Sequence, residues 1–124
     1  MKKYIYTLVG IVIVAGIIFV VASPAKPSIY DGFAQCLKDK GAIFYGTFWC
    51  PHCQSQKAKF GTAVKYLPYV ECSTSNGQGQ TQVCKDAGIT NYPTWQFNAS
   101  STNRLVGEQE LSLLAEKTGC ELPK

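Results

Sequence analysis

Two cysteines separated by two residues are the part of this sequence that could most directly do chemistry. Cys50 and Cys53 enclose Pro51 and His52 directly after an apolar, aromatic stretch. Two thiols at this spacing can reach each other within the first turn of a helix and close a small disulfide ring. The backbone N–H groups and the positive dipole end of such a helix stabilise a thiolate at the first position, and His52 can add a positive charge or a hydrogen bond. A thiolate of this kind attacks another disulfide through a mixed-disulfide intermediate.

Three other uses of this C-x-x-C motif have less support in the sequence. A zinc site needs two further ligands, but there is no second C-x-x-C motif and the only histidine lies inside the first. Haem attachment needs histidine directly after the second cysteine, where this sequence has Gln54. A purely structural disulfide in so small a ring would stabilise little, because stabilisation grows with loop length. We therefore expect a redox-active disulfide at Cys50–Cys53 and no metal, flavin or nucleotide.

Four further cysteines, Cys36, Cys72, Cys84 and Cys120, can pair with one another in three ways. Cys72 and Cys84 flank a glycine-rich loop, and a bridge between them would contribute about 3 kcal/mol. Cys36 falls on the first predicted helix of the body and Cys120 just after the last, so we favour Cys36–Cys120 as the other bridge. Structural bridges are the commoner use of cysteine in small exported domains, and a relay of electrons to the C-x-x-C motif is the alternative.

The elements that must position these cysteines alternate between strands and helices. The C-x-x-C motif follows a short apolar run at residues 42–45, which is typical of a buried strand, and it begins a predicted helix over residues 50–65. Residue spacing elsewhere predicts helices over 31–40, 81–87 and 108–118 and strands over 69–72, 94–98 and 104–106. This order indicates an α/β domain with a mixed sheet flanked by helices.

Length and composition favour one folded domain. The chain has 124 residues, of which 46% are apolar and 16% charged, so it is neither two domains nor a disordered chain. The net charge is +4, but from Ser28 onward 9 basic residues stand against 8 acidic ones. The body therefore lacks the charge for a basic patch, and we expect no nucleic-acid partner. Six cysteines also argue against a cytosolic housekeeping enzyme.

The N-terminal segment carries a pattern typical of membrane insertion. Two lysines precede nineteen residues without charge, at positions 4–22. A helix of that length would span roughly 28 Å, close to the thickness of a bilayer core, and the lysines predict a cytoplasmic N-terminus. We expect an uncleaved membrane anchor over residues 1–22, a linker over 23–28 and a folded domain over 29–124 on the extracytoplasmic side, periplasmic or at the cell surface. A cleaved signal peptide is the alternative.

Three segments together resemble the thioredoxin superfamily: YGTFWCPHCQSQKAKFG at 45–61, YVEC at 69–72 and NYPTWQF at 91–97. More narrowly, they are similar to the thioredoxin-like domain that accompanies, and is often fused to, bacterial and plant vitamin K epoxide reductase homologues. The resemblance covers about residues 33–119 and implies a thioredoxin-like fold. Because this chain has no fused multi-helix quinone-reducing domain, we expect any such partner to be a separate membrane protein.

The resemblance also implies a substrate-binding surface beside the cysteines. In this superfamily the proline after the third strand is cis and faces the dithiol, and here that residue is Pro93, preceded by Tyr92. A cis bond presents backbone groups beside the sulfurs, against which an extended substrate segment can pair. Trp49, Tyr92 and Pro93 are thus expected to contact substrate. An ordinary trans proline that begins a strand is the alternative.

The residues between the cysteines resemble those of bacterial periplasmic disulfide oxidases. These enzymes have Pro-His, as at Pro51 and His52, whereas thioredoxins proper have Gly-Pro, and the resemblance implies an oxidising dithiol. The sequence departs from many thioredoxins at Phe44, where they place a buried carboxylate that accepts a proton. Water, His52 or another group such as Glu71 must therefore receive the proton of Cys53.

These observations predict a thiol–disulfide oxidoreductase. Cys50 attacks, Cys53 resolves the mixed disulfide, Pro51 and His52 shape and tune the reactive turn, and Pro93 orients the partner segment. The enzyme would donate disulfides to exported protein thiols and be reoxidised by a vitamin K epoxide reductase-like quinone reductase. The alternatives are a reductase or isomerase of exported disulfides, a disulfide-stapled binding module without turnover, and a metal-delivery protein, for which the sequence has no methionine cluster.

Overall fold

The structure, a computed structural model, describes residues 1–22, 26–98 and 100–124, with the backbone alone at residues 17–22. Part of the predicted linker over residues 23–28 therefore lies outside the described residues. The described helices are α1 (Lys2–Ala22), α2 (Asp31–Asp39), α3 (Pro51–Ala58), a 3₁₀ helix (Gly61–Tyr66), α4 (Gln82–Asp86) and α5 (Leu111–Thr118). The described strands are β1 (Ile43–Gly46), β2 (Tyr69–Glu71), β3 (Thr94–Gln96) and β4 (Arg104–Val106).

The four strands form one mixed sheet in the order β2-β1-β3-β4. Strand β1 runs parallel to β2 and antiparallel to β3, which is antiparallel to β4. In the parallel pair Gly46 lies opposite Glu71, so both strands end at the same edge of the sheet. The chain leaves β1 at this edge to enter α3. The sheet and its flanking helices confirm the predicted mixed α/β architecture.

Alternating strand residues bury the two faces of the sheet against different helices. Phe44 of β1 and Trp95 of β3 lie in the larger core, where their rings stack with centroids 4.7 Å apart. Helices α2, α3 and α5 contribute Leu37, Cys53 and Leu114 to this core. Burial of these large side chains is the main stabilising term of the domain, because each removes a large apolar area from water. The second cysteine of the C-x-x-C motif is thus part of the hydrophobic core.

A smaller cluster occupies the opposite face. Tyr45 of β1 packs there with Cys72, Cys84 and Ile89. Cys84 lies on α4, so this short helix covers the face that α2, α3 and α5 leave open. The alternation of Phe44 and Tyr45 between the two clusters follows from the period of two along a strand.

Two disulfide bonds join elements that are distant in sequence. They are Cys36–Cys120 and Cys72–Cys84, the pairing that the sequence analysis favours. The first links α2 to the residue after the α5 cap across a separation of 84 positions, and the second closes the loop from β2 to α4 across 12. The cysteines of the C-x-x-C motif are both free thiols.

Two helix boundaries differ from the prediction. The helix expected over residues 50–65 ends at Ala58, and a 3₁₀ helix begins at Gly61, whose φ of +55° is left-handed and is adopted readily only by glycine. Helix α5 begins at Leu111, three positions later than expected, because the backbone of Gln109 bonds to α3 instead of starting a helix.

The predicted single-pass membrane localisation is wrong. In the parts of the chain that the structure describes, no helix combines the length and the apolar character that crossing a membrane requires. This finding contradicts the expected single-pass membrane localisation, and it does not confirm the anchor expected over residues 1–22, with its membrane contact through residues 4–22.

Candidate active site

The turn between β1 and α3 places the first thiol at the start of a helix. Cys50 is the N-cap residue, with extended backbone at φ −79° and ψ 118°, and Pro51 follows at the first helical position. Proline is tolerated there because its missing N–H would have had no partner. The backbone N–H of Cys53 donates a hydrogen bond to Sγ of Cys50 at 3.3 Å. A negative charge on this sulfur would therefore meet both a hydrogen-bond donor and the positive end of the helix dipole.

The second thiol has a different environment. Cys53 is completely buried, whereas Cys50 retains 5% of its surface. Burial and the hydrogen bond with Cys50 raise the pKa of the Cys53 thiol to about 12, although the backbone of Thr47 and the charge of Lys57 act in the opposite direction. Cys53 is therefore protonated at neutral pH in the dithiol form. An incoming sulfur atom can reach only Cys50.

A glycine at the end of β1 makes room for the buried sulfur. A Cβ atom at Gly46 would lie 3.0 Å from Sγ of Cys53 and 3.0 Å from Cε2 of Tyr69. The Cys53 sulfur and the Tyr69 ring thus meet over the backbone of Gly46. The Tyr69 hydroxyl donates to the Glu71 carboxylate at 2.7 Å, and Nζ of Lys57 lies 3.4 Å from the centroid of the Tyr69 ring. Burial and the bond to Glu71 raise the pKa of Tyr69.

Glu71 is held in place by backbone groups as well. Its Oε1 accepts the N–H of Phe48 at 3.2 Å and the N–H of Ser73 at 2.8 Å. Together with the Tyr69 hydroxyl, three donors bond to this carboxylate. The structure therefore brings Glu71 to the Cys53 side of the site with the Tyr69 ring between the two residues. Sequence reasoning selected Glu71 but missed Tyr69, although its position two residues earlier on the same strand places both on one face.

Charged residues gather on the other side of the C-x-x-C turn. His52 has an exposed side chain, and its Nδ1 lies 3.6 Å from Oε2 of Glu108. Nζ of Lys59 lies 3.4 Å from Oε1 of Glu108 and 2.6 Å from Oε1 of Glu110. The bond to Glu110 raises the pKa of Lys59, although burial acts in the opposite direction. His52 thus faces Glu108, a residue that sequence reasoning did not select.

A buried glutamine fixes this charged segment against α3. Gln56 is completely buried, its Nε2 donates to the carbonyl of Gln109 at 3.1 Å, and its Oε1 accepts the N–H of Gln109 at 2.6 Å. Nζ of Lys59 also donates to the Gln109 carbonyl at 3.2 Å. Sequence reasoning missed Gln56. Its position three residues after Cys53, on the same helix face, is the signal that could have identified it.

The three residues expected to contact substrate lie around Cys50. The Tyr92–Pro93 peptide bond is cis. The Cys50 thiol donates a hydrogen bond to the carbonyl oxygen of Tyr92, at 3.8 Å from Sγ. The rings of Trp49 and Tyr92 meet edge to face with centroids 6.2 Å apart. Trp49 is 52% exposed, whereas the Pro93 ring is buried. The structure therefore brings the predicted site residues together, with an aromatic surface next to the less buried sulfur.

The fold and this geometry define a class of protein. A small α/β domain with one thiol at a helix N-terminus and a buried second thiol bonded to it has the arrangement of a thiol–disulfide exchange site. Over 93 residues the chain is 45% identical to the thiol-disulfide oxidoreductase LTO1 of Arabidopsis thaliana, which corresponds to 72% of this chain and 24% of that relative. The chain thus spans about a quarter of the length of this relative. No protein-family model matches the chain. The similarity supports the enzyme class that the sequence predicts.

Proposed function

We propose that this protein is a thiol–disulfide oxidoreductase with a thioredoxin-like fold that donates disulfides to client proteins. The observation that carries the proposal is the asymmetry of its two thiols. Cys50 is partly accessible and accepts a hydrogen bond from the helix N-terminus, whereas Cys53 is completely buried behind it. This asymmetry separates an attacking position from a resolving one. The name of the relative from Arabidopsis thaliana supports the same chemistry.

The exchange proceeds in two steps that balance in atoms and electrons. A client thiolate attacks Sγ of Cys50 in the oxidised protein, the Cys50–Cys53 bond breaks, and Cys53 leaves as a thiolate and takes up a proton. A second client thiolate then attacks the client sulfur of the mixed disulfide and releases the Cys50 sulfur as a thiolate. The client loses two electrons and forms its disulfide, and the two sulfurs of the C-x-x-C motif gain those electrons. The sulfur atoms alone carry the electrons in this reaction.

Continued turnover requires an acceptor for two electrons. On the resemblance to domains that accompany vitamin K epoxide reductase homologues, we propose a separate quinone reductase of that type as the acceptor. Its own disulfide would be reduced while Cys50–Cys53 forms again. The disulfides Cys36–Cys120 and Cys72–Cys84 support a compartment in which disulfides persist, and hence clients that acquire disulfides there.

The equilibrium potential of Cys50–Cys53 tests the proposed direction of electron flow. The full chain would be equilibrated with glutathione buffers, and the free thiols counted after alkylation. A potential of about −120 to −180 mV is expected for a disulfide donor, whereas about −270 mV would replace the proposal with a reductase. The Cys50→Ala variant, which keeps both structural disulfides, identifies the signal that belongs to the C-x-x-C motif. A motif that exchanges with no thiol would overturn the enzymatic function and favour a binding module.

A further inference from the structure

The loop closed by the Cys72–Cys84 disulfide is ordered by its own polar groups. The N–H of Thr74 donates to the carbonyl of Gly79 at 2.9 Å, and the N–H groups of Gly77 and Gly79 donate back to the carbonyl and Oγ1 of Thr74, both at 2.9 Å. Residues 73–82 carry no charged side chain. The disulfide exchange proposed above uses none of these groups. We call residues 73–82 the bridged loop.

The bridged loop contacts three aromatic residues next to the reactive sulfur, Phe48, Trp49 and Tyr92, which we call the aromatic rim. Ser73 Oγ accepts the indole N–H of Trp49 at 3.0 Å, and Nε2 of Gln80 donates to the Tyr92 hydroxyl at 2.7 Å. These two bonds attach the rim to opposite ends of the loop.

The middle of the loop supports the same rim. Gly77, whose φ of +73° favours glycine, lies beneath two of the rings: a Cβ there would be 3.6 Å from Cζ of Phe48 and 3.8 Å from Cδ1 of Trp49. The rim nevertheless remains open to solvent on its outer side, where Phe48 is 48% and Trp49 52% exposed. Exposed aromatic rings held by hydrogen bonds are typical of binding surfaces, because they bury a large area at low entropic cost.

Charge divides the surroundings of Cys50 into two halves. On one side lie the aromatic rim, the uncharged bridged loop and the Glu71 carboxylate, which already accepts three hydrogen bonds within the protein. On the other side lie His52, Lys59, Glu108 and Glu110. A client residue that packs on the rim leaves water beside no charge except the Glu71 carboxylate, whose oxygens are already bonded to Phe48, Ser73 and Tyr69. An apolar side chain is therefore favoured on that side, and a charged one would lose its hydration without a partner.

We propose that the bridged loop positions the aromatic rim to bind client segments in which a large apolar residue adjoins the reacting cysteine. The occupant is an extended or unfolded segment, because Cys50 is only 5% exposed and the client sulfur must lie close against the rim to reach it. Ser73 and Gln80 are positioning residues that act through Trp49 and Tyr92. This inference rests on the proposed function, because it names the client that the exchange site selects.

The test compares peptide and small-molecule thiols as reductants of the oxidised full chain. Two dithiol peptides of equal length are used, with either leucine or lysine beside the first cysteine, together with dithiothreitol. The wild-type protein is expected to react with the leucine peptide about tenfold faster in kcat/KM than with the lysine peptide. In the double variant Ser73→Ala with Gln80→Ala, KM for the leucine peptide should rise about fivefold, as expected for the loss of two modest hydrogen bonds. Neither kcat nor the rate with dithiothreitol should change.

The Gln82→Ala variant is the matched control. Gln82 lies at the end of the same loop, is exposed, and bonds only to Asp86 on its own helix, so KM should be unchanged. Equal rates of the wild-type protein with both peptides would overturn the inference alone. The same would follow if the double variant slowed dithiothreitol and peptide equally, or changed neither. A wild-type protein that does not react with dithiothreitol would instead contradict the proposed function, and this inference with it.

Discussion

At the scale of single residues, burial divides the work between two chemically identical side chains. Cys50 can be reached from outside, and Cys53 cannot, because the strand end at Gly46 admits its sulfur into the core. The first can therefore attack or be attacked by a client, and the second can react only with the first. A Cβ atom at Gly46 would lie only 3.0 Å from the Cys53 sulfur and from the Tyr69 ring, which is closer than ordinary van der Waals contact, so the site favours glycine there.

The raised pKa of Cys53 predicts a pH-dependent stability of the dithiol form. The pKa is about 12 in the folded protein against an ordinary value of 9.0, so the folded state binds this proton more tightly than the unfolded state. The resulting stabilisation is complete below pH 9 and is lost as the pH rises towards 12. We expect the free energy of unfolding of the dithiol form to fall by roughly 1 kcal/mol per pH unit above pH 9, as measured by urea unfolding at pH 7.5, 9 and 10.

Two controls isolate the contribution of this thiol. The disulfide form has no titrating Cys53, and neither has the Cys53→Ala variant, so both should lose less stability over the same pH range. The pKa of Tyr69 is also raised, so its ionisation destabilises the folded protein as the pH rises. Tyr69 is present in all three proteins, and its contribution therefore cancels in the comparison. Parallel pH profiles for the dithiol form and the Cys53→Ala variant would show that burial does not hold this proton.

At the scale of elements, α3 organises the site through three residues spaced three positions apart, Cys50, Cys53 and Gln56. Its N-cap carries the reactive thiol, and its buried face carries the resolving thiol and then Gln56. The side-chain amide of Gln56 forms hydrogen bonds with both the backbone N–H and the carbonyl of Gln109. These bonds keep the segment before α5 extended. The acidic residue that faces His52, Glu108, lies one position before that contact. A single buried amide thus determines which charge lies beside the C-x-x-C turn.

Replacing Gln56 by leucine should lower the free energy of unfolding. The substitution keeps the approximate volume but leaves the N–H and the carbonyl of Gln109 with fewer partners, because only Lys59 still bonds to that carbonyl. We expect a loss of about 1–3 kcal/mol in the free energy of unfolding, measured by urea denaturation. The Gln35→Leu variant, on an exposed position of α2, should change it by less than about 0.5 kcal/mol. Equal effects of the two substitutions would exclude the buried amide as a structural tie.

The comparison of sequence and structure shows which information is local. The C-x-x-C turn and the order of strands and helices follow from spacing and residue type, so the sequence predicts them. The Gln56–Gln109 contact joins residues 53 positions apart, and no local pattern contains it. The break in the predicted helix at Gly61 depends on a backbone conformation that glycine permits but does not impose. The membrane anchor was inferred from the length and the uncharged, apolar character of residues 4–22, whereas no helix in the described part of the chain meets the criteria for a span.

At the scale of the whole molecule, two disulfides restrain different parts of the domain. Cys36–Cys120 connects the first helix of the body with the end of the last, and α2 and α5 also pack together in the larger core. Cys72–Cys84 closes only the loop that reaches the aromatic rim. The first bridge therefore restricts nearly the whole unfolded chain of the body, and the second restricts a short segment. Their contributions to stability should differ accordingly.

Removing each bridge separately tests this difference. Replacing Cys36 and Cys120 together by alanine removes the bridge between residues 84 positions apart. Replacing Cys72 and Cys84 by alanine removes the bridge between residues 12 positions apart. In the chain-entropy account these losses amount to about 4.6 and 2.9 kcal/mol, so the first double variant should be less stable than the second by about 1.7 kcal/mol in urea unfolding. In exchange activity, by contrast, the variant without Cys72–Cys84 should be the weaker of the two, because only that bridge holds the loop beneath Phe48 and Trp49. A shorter bridge that proved the more stabilising would mean that packing of its two buried sulfurs outweighs chain entropy in this domain.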